Sequence, residues 1–364
     1  MLAVLTGGGT AGHINPALAL AEELQSRGWQ VKYAGTPQGV EARLVPQAGI
    51  EFTAFEASGF NRSKPWTLLT GMLSIRKSSA KAKRWLSEIG ANVVVGFGGY
   101  VSIPVAYAAE ELGIPVVIHE QNSVMGMANK ELSKKAARTC LTYAVAAEGT
   151  HAANVVVTGN PVRRQVMEST RAEGREMLGV PEDNVMLLVT GGSLGARHIN
   201  QGMIALKQRL LEYPNLSVVH ITGPKEYDAV VEQMVLTPEQ QQRWQLIGYQ
   251  DQMGKCMAAA DCIVSRAGAT SLAEISARGI PALLVPFPFA TNDHQTTNAQ
   301  SYVAAGCAFM MPDDQVESEE FQNKVCQLIE DADLRESMTQ AALAQKTESA
   351  AARLAEAVVE VARS

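Results

Sequence analysis

The residues of this chain best suited to chemistry lie on or beside three glycine-rich turns. Gly7-Gly8-Gly9-Thr10-Ala11-Gly12-His13 follows an apolar strand from Leu2 to Thr6. Gly96-Phe97-Gly98-Gly99-Tyr100-Val101-Ser102 follows Val93 to Val95, and Gly191-Gly192-Ser193-Leu194-Gly195-Ala196 follows Val185 to Thr190. Each turn opens what reads as a helix. Glycine lets backbone approach a ligand closely, and the unpaired N–H groups of a helix start attract anions. Three such loops, split between the two halves of the chain, predict a cleft holding more than one phosphate-bearing ligand.

Two side chains near these turns stand out. At a helix N-terminus the dipole disfavours imidazolium, so His13 is kept neutral and able to accept a proton; a histidine that only bonds a loop carbonyl is the plainer alternative. In Arg266-Ala267-Gly268-Ala269-Thr270-Ser271-Leu272-Ala273-Glu274 a small-residue turn enters a helix with Glu274 one turn inside. Its carboxylate can accept both hydroxyls of a ribose, or can serve as a capping acid. Pro286-Phe287-Pro288 and the run from Asp293 to Ala299, which holds His294 and Gln295, gather hydrogen-bonding groups at another strand exit. That is the edge where ligands sit in open α/β sheets.

Gly7-x-Gly9-x-x-Gly12 formally matches the dinucleotide fingerprint, which wants an acid at the end of the second strand to hold a ribose. That strand ends Tyr33-Ala34-Gly35-Thr36, so a dehydrogenase is disfavoured. Asp331-Ala332-Asp333 is the sole Asp-x-Asp, and it lies in an acidic helical stretch far from any glycine loop. No metal is expected.

Strands and helices must alternate to position these turns. The first half reads as strand 2–6, helix 16–27, and strands at 31–34, 93–95, 116–118 and 155–157. The second half restarts with strand 185–190, helix 199–213, and strands at 217–222, 245–247, 262–265 and 282–285. A helix from Leu343 to Arg363 closes the chain. The apolar runs are continuous rather than alternating, as in strands covered on both faces. Thr158-Gly159-Asn160-Pro161 is a turn cluster suited to an inter-domain connection. The expectation is an α/β protein with two doubly wound parallel-sheet domains facing across a cleft.

At 364 residues, two hydrophobic cores are the natural division. Residues 1–150 carry 14 Lys and Arg against 11 Asp and Glu, and the remainder 17 against 26. That asymmetry lacks the broad basic face of a nucleic-acid binder, so no nucleic-acid partner is expected. The five cysteines form no C-x-x-C pair, which favours free thiols over zinc or a disulfide framework. The opening residues read as a strand rather than a signal peptide, and no apolar run approaches the ~18 residues of a membrane span.

The segment from Trp66 to Leu86 combines Trp66, Leu69, Leu73 and Trp85 with Arg76, Lys77, Lys81, Lys83 and Arg84, and contains no acid. An apolar stripe flanked by cations fits the interface of an anionic membrane. It fits a buried helix face with solvated lysines about as well.

In order along the chain, Gly7 through Ala17, His119-Glu120-Gln121-Asn122, Gly159-Asn160-Pro161-Val162-Arg163, Gly191-Gly192-Ser193, Ser265 through Ala269 with Glu274, and Asp293-His294-Gln295 together resemble the MurG family of bacterial glycosyltransferases. The resemblance implies the GT-B fold, two Rossmann-like domains. It also implies transfer of GlcNAc from UDP-GlcNAc, with inversion, to the 4-hydroxyl of MurNAc in undecaprenyl-pyrophosphoryl-MurNAc-pentapeptide, at the cytoplasmic face of the inner membrane. Residues 1–160 with 345–364 are then the acceptor and membrane-associating domain, and 161–344 the UDP-GlcNAc domain. Donor contacts fall on Thr10, Ala11, Gly12, Asn122, Arg163, Ser193, Gln250, Ala269, Thr270, Ser271, Leu272, Ala273, Glu274 and Gln295. The acceptor diphosphate falls to Gly9, Thr10, Gly98, Gly99 and Tyr100. His13, His119 and Glu120 are the rival bases. No cofactor is implied. The sequence departs from the commoner family pattern at Leu194 and around Gln250. A UDP-GlcNAc 2-epimerase-like enzyme and a non-catalytic nucleotide-sugar module are the alternatives.

Overall fold

The computed structural model describes residues 1–364 except 57–66, 149, 153, 345–348 and 364, and for 67–74 only the helical backbone. The chain divides into two compact units, Met1–Arg163 with Thr347–Ser364, and Arg164–Lys346.

The first unit is built on a seven-stranded sheet of β1 (Leu2–Thr6), β2 (Gln30–Gly35), β3 (Glu51–Ala54), β4 (Val93–Gly96), β5 (Val116–Glu120), β6 (Arg138–Leu141) and β7 (Val155–Val157). Its order is β3-β2-β1-β4-β5-β6-β7, and all pairings are parallel. The continuous apolar runs now have a cause. Ala3, Leu5, Val93, Val95 and Val117 face one core, shared with helices Ala11–Ser26 and Ala350–Arg363. Val4, Val94, Val116 and Ile118 face another, beneath helices Thr67–Ile89 and Ser102–Glu111. Alternate residues of one strand point to opposite faces, so helices on both faces require apolar residues at every position.

The second unit repeats the plan with β8 (Val185–Thr190), β9 (Leu216–Ile221), β10 (Trp244–Ile247), β11 (Cys262–Ser265), β12 (Ala282–Leu284) and β13 (Ala308–Met310). The order is β10-β9-β8-β11-β12-β13, again parallel throughout. Leu187, Val189, Val264 and Leu283 meet Ile199, Met203 and Leu206 of helix Arg197–Leu211 in its main core.

Some elements differ from the sequence reading. The first helix starts at Ala11, so Pro16 lies inside it, in its second turn. Strands β3, β6 and β13 are additional. Of the helix expected over 343–363, Ala350–Arg363 is helical, while Leu343 and Ala344 end a preceding helix, Ala332–Ala344. The backbone N–H of Leu334 donates to Asp331 Oδ1, so the lone Asp-x-Asp caps a helix.

Helix Thr67–Ile89 mixes both readings of the basic stripe. Ser78, Ala82 and Leu86 are buried, and Trp85 packs on Phe55 with ring centroids 5.3 Å apart. Trp85 therefore supports the core as well as the surface. Lys83 is paired with Glu111 at 2.9 Å. Arg76, Lys77, Lys81 and Arg84 are exposed. Beside them a groove is lined by Ile75, Ala80, Ile103, Tyr107 and Leu112. Trp66 lies outside the described residues, as do the side chains of Leu69 and Leu73.

Candidate active site

In each unit the chain reverses its direction of travel across the sheet between two neighbouring strands, β1 and β4 in the first and β8 and β11 in the second. Loops leaving such neighbours diverge and open a crevice at the carboxyl edge. All three glycine turns lie at these points.

In the first unit the β1 and β4 exits are packed backbone to backbone. A Cβ on Gly99, whose φ is +78°, would stand 2.7 Å from the Gly8 carbonyl oxygen, so no other residue fits there. Tyr33 Oη donates to the Gly7 carbonyl at 2.9 Å. His13, on the first turn of helix Ala11–Ser26, has Nδ1 2.8 Å from the Gly8 carbonyl. A carbonyl only accepts, so Nδ1 carries the proton and Nε2 keeps its lone pair. Nε2 faces Gly98: a Cβ placed there would lie 3.4 Å from Nε2 and 3.4 Å from Asn129 Nδ2. In the neutral form the Gly8 carbonyl selects the Nδ1–H tautomer and leaves Nε2 as an acceptor over a glycine crevice, an arrangement suited to a general base.

The two rival bases have other duties. His119 is fully buried, its Nε2–H donating to the Gly159 carbonyl at 3.0 Å and its Nδ1 accepting from Gln121 Nε2 at 3.1 Å. Burial holds its pKa down at about 4, against the opposing pull of the Gly159 bond and the Glu120 charge. With both nitrogens committed it is a structural histidine, which corrects its place among the bases. Glu120 is also buried. Its Oε1 accepts from the Asn122 backbone at 3.0 Å and Asn122 Nδ2 at 3.2 Å, and its Oε2 from the Gly126 backbone at 3.0 Å and Asn129 Nδ2 at 2.8 Å. This carboxylate is the template of the loop after β5. Asn122 is thereby placed at the same sheet edge as His13, with Gly9, Thr10, Ala11, Gly12, Gly98 and Tyr100.

In the second unit Ser193 and Leu194 are exposed on the β8 turn, ahead of helix Arg197–Leu211. The β8 and β9 exits touch, since a Cβ on Gly195 would meet the Thr222 carbonyl oxygen at 2.2 Å. Helix Ala269–Arg278 leaves β11 with Gly268 at its N-cap, which makes no side-chain capping hydrogen bond. Ser271, Ala273 and Glu274 are half-buried on it, and Ala269 and Thr270 more deeply. Leu272 is fully buried and its N–H donates to the Gly268 carbonyl, so its side chain belongs to the core. Gln295 Oε1 accepts from the backbone of Ala267 at 3.2 Å and of Phe287 at 2.9 Å, joining the β11 and β12 exits. Gln250 accepts from the Gln252 backbone at the β10 exit. Arg163, expected to meet the donor diphosphate, has its guanidinium on Glu22 at 3.0 and 3.1 Å within the first unit.

Three contributors escaped the sequence reading. Asn129 donates to the His119 carbonyl as well as to Glu120. Arg266, stacked 5.5 Å over Phe287, donates to the carbonyls of Val285 and Pro286 and to Asp313, tying three strand exits together. Glu41 lies under the first glycine loop. Asn129 and Glu41 follow no glycine signature; Arg266 opens the Gly268 turn, but its tie to Asp313 is made only by the fold.

Two all-parallel sheets with glycine turns and helix N-termini at their reversal points are the architecture of GT-B glycosyltransferases. Residues 3–141 match the glycosyltransferase family 28 N-terminal domain and residues 186–354 the family 28 C-terminal domain. The chain is 42% identical over 313 residues to the UDP-N-acetylglucosamine–N-acetylmuramyl-(pentapeptide) pyrophosphoryl-undecaprenol N-acetylglucosamine transferase of Leuconostoc mesenteroides, covering 85% of each chain. It is 37% identical to the enzyme of that name from Halothermothrix orenii, covering 93% of each. The crystal structure of Acinetobacter baumannii MurG superposes with a TM-score of 0.73 at 29% identity, covering 99% of both chains. The chain belongs to the MurG group of glycosyltransferase family 28.

Proposed function

We propose that this chain transfers GlcNAc from UDP-GlcNAc to the 4-hydroxyl of MurNAc in undecaprenyl-pyrophosphoryl-MurNAc-pentapeptide, with inversion at the anomeric carbon. The observation that carries the chemistry is His13, with Nδ1–H on the Gly8 carbonyl and Nε2 toward Gly98. Nε2 takes the proton of the 4-hydroxyl as that oxygen bonds to the anomeric carbon and the bond to UDP breaks. The charge growing on the departing diphosphate is met by N–H groups of the Ser193 turn and of helix Ala269–Arg278. Glu274 holds the ribose diol, and Gln250 borders the uracil. Gly9, Thr10, Gly98, Gly99 and Tyr100 receive the acceptor's diphosphate. Relatives named for this same transfer at 37–42% identity favour it over the epimerase and the non-catalytic module.

The acceptor's lipid calls for a membrane surface. No helix among the described residues is long and apolar enough to cross one. Arg76, Lys77, Lys81 and Arg84, of which Arg76 and Arg84 line the groove with Ile75, Ile103 and Tyr107, dock the first unit peripherally on the cytoplasmic face of the inner membrane. The test of the assignment is a split between binding and turnover. Glu274→Ala should abolish calorimetric UDP-GlcNAc binding, whereas His13→Ala should retain it and lose turnover by about 10²-fold or more. Equal binding in wild type and Glu274→Ala would overturn the ribose role; near-normal turnover in His13→Ala would overturn the base.

A further inference from the structure

Glu41 is a carboxylate with no exposed surface, seated beneath the β1 turn. Its Oε1 accepts from Thr36 N at 3.0 Å and Thr36 Oγ1 at 2.6 Å, and its Oε2 accepts from Gly9 N at 3.2 Å. Three glycines surround it. A Cβ on Gly8 would stand 2.4 Å from Glu41 Oε1, one on Gly39 2.2 Å from the same atom, and one on Gly35 2.5 Å from its Cγ. The turn therefore closes over this side chain with no room for another atom. A buried carboxylate is costly unless hydrogen-bonded, and Thr36 N, Thr36 Oγ1 and Gly9 N supply that compensation. Its neighbour Tyr33, whose hydroxyl holds the Gly7 carbonyl, has its pKa raised first by burial and then by the Glu41 charge.

Gly8 and Gly9, which Glu41 fixes from below, also set His13. The Gly8 carbonyl accepts from His13 Nδ1 and so decides which ring nitrogen keeps its lone pair. We infer that Glu41 is a positioning residue for the transfer reaction: by pinning Gly8 and Gly9 it aims the Gly8 carbonyl at His13 Nδ1 and presents Nε2 as the acceptor. This rests on His13 as the base. Glu41 itself touches no reacting atom. It is the anchor through which the sheet's second strand, by way of Thr36, registers the catalytic loop, an arrangement of the kind that holds reactive groups within fractions of an ångström.

The experiment uses the full chain with ¹⁵N-labelled histidine, the His13 signals being assigned by their loss in His13→Ala. In wild type the long-range couplings should show His13 protonated at Nδ1. Glu41→Gln removes the charge and turns one acceptor into a donor facing N–H groups. It should give a mixture of tautomers and roughly a 10- to 100-fold fall in turnover, with UDP-GlcNAc affinity unchanged. Gly8→Ala keeps the carboxylate but wedges a methyl against it, and should give the same tautomer mixture; it decides the matter if Glu41→Gln does not fold. A retained Nδ1–H tautomer in the folded variant overturns the proposal, whatever the turnover. Failure of the base reading shows separately, as near-normal turnover in His13→Ala.

Discussion

Replacing Glu120 distinguishes a template from a base. The carboxylate accepts four hydrogen bonds, two from backbone N–H groups of the loop it shapes and two from the amides of Asn122 and Asn129. A hydrogen bond to a charged group contributes about 1.5–3 kcal/mol. Glu120→Ala forfeits all four, but the loss falls short of their sum. Gly126 is exposed and Asn122 half-buried, so water can reach both, whereas the fully enclosed Asn129 amide keeps only its bond to the His119 carbonyl. A net cost of about 3–5 kcal/mol follows, which lowers the melting temperature by roughly 10 °C for a unit of this size. Glu120→Gln should fall between wild type and alanine in both stability and turnover. Its oxygen can still accept from Asn122, while its new NH₂ confronts the Gly126 N–H. The assays are thermal unfolding followed by circular dichroism and initial-rate transfer on the same preparations. If both variants melt like wild type while both lose activity by more than about 10²-fold, Glu120 acts in the proton transfer itself and the template argument is wrong.

Acid should weaken the first unit through His119, whose pKa is about 4 when folded against an ordinary 6.5. Below pH 6.5 the unfolded chain takes up a proton that the native state refuses, so stability is complete above 6.5 and declines by about 3 kcal/mol as pH falls toward 4. Urea midpoints at pH 7.5 and pH 4.5 measure this, and His119→Gln should flatten the difference. Gly99→Ala should separate the β1 and β4 loops, because its Cβ would stand 2.7 Å from the Gly8 oxygen at a φ of +78°; turnover should collapse while calorimetric UDP-GlcNAc binding persists. Changing Arg76, Lys77, Lys81 and Arg84 to Glu should release the protein from anionic vesicles, each cation contributing about 1 kcal/mol near the surface. Activity on a water-soluble acceptor should survive, and unchanged co-sedimentation would move the docking surface elsewhere.

What could be read in advance was what the backbone itself demands. Glycines where two loops touch, and apolar runs where a sheet is covered on both faces, are local necessities that leave a linear trace. The β1, β5, β8 and β11 strands and the turns at His13, Ser193 and Gly268 were legible for that reason. Strand β6 was not, because Arg138-Thr139-Cys140-Leu141 lacks an apolar run although it pairs on both sides. Edge strands β3 and β13 are short and partly exposed, so selection for apolar residues is weak there. The division of labour among His13, His119 and Glu120 was illegible too. All three are hydrogen-bonding residues at strand exits, and only their partners in the fold tell them apart. Glu41 left no trace because its significance lies in three glycines that are scattered around it, Gly8, Gly35 and Gly39.

Transfer to a lipid-linked acceptor is the reaction that separates this chain from an epimerase or a binding module. Its most direct test is incubation of the purified chain with radiolabelled UDP-GlcNAc and a short-chain lipid-linked MurNAc-pentapeptide, with products resolved by chromatography and mass spectrometry. Label should appear in a lipid-linked disaccharide joined β-1,4, formed in step with UDP and absent without the acceptor. Conversion of UDP-GlcNAc to its epimer with or without acceptor, or tight binding with no product, would contradict it.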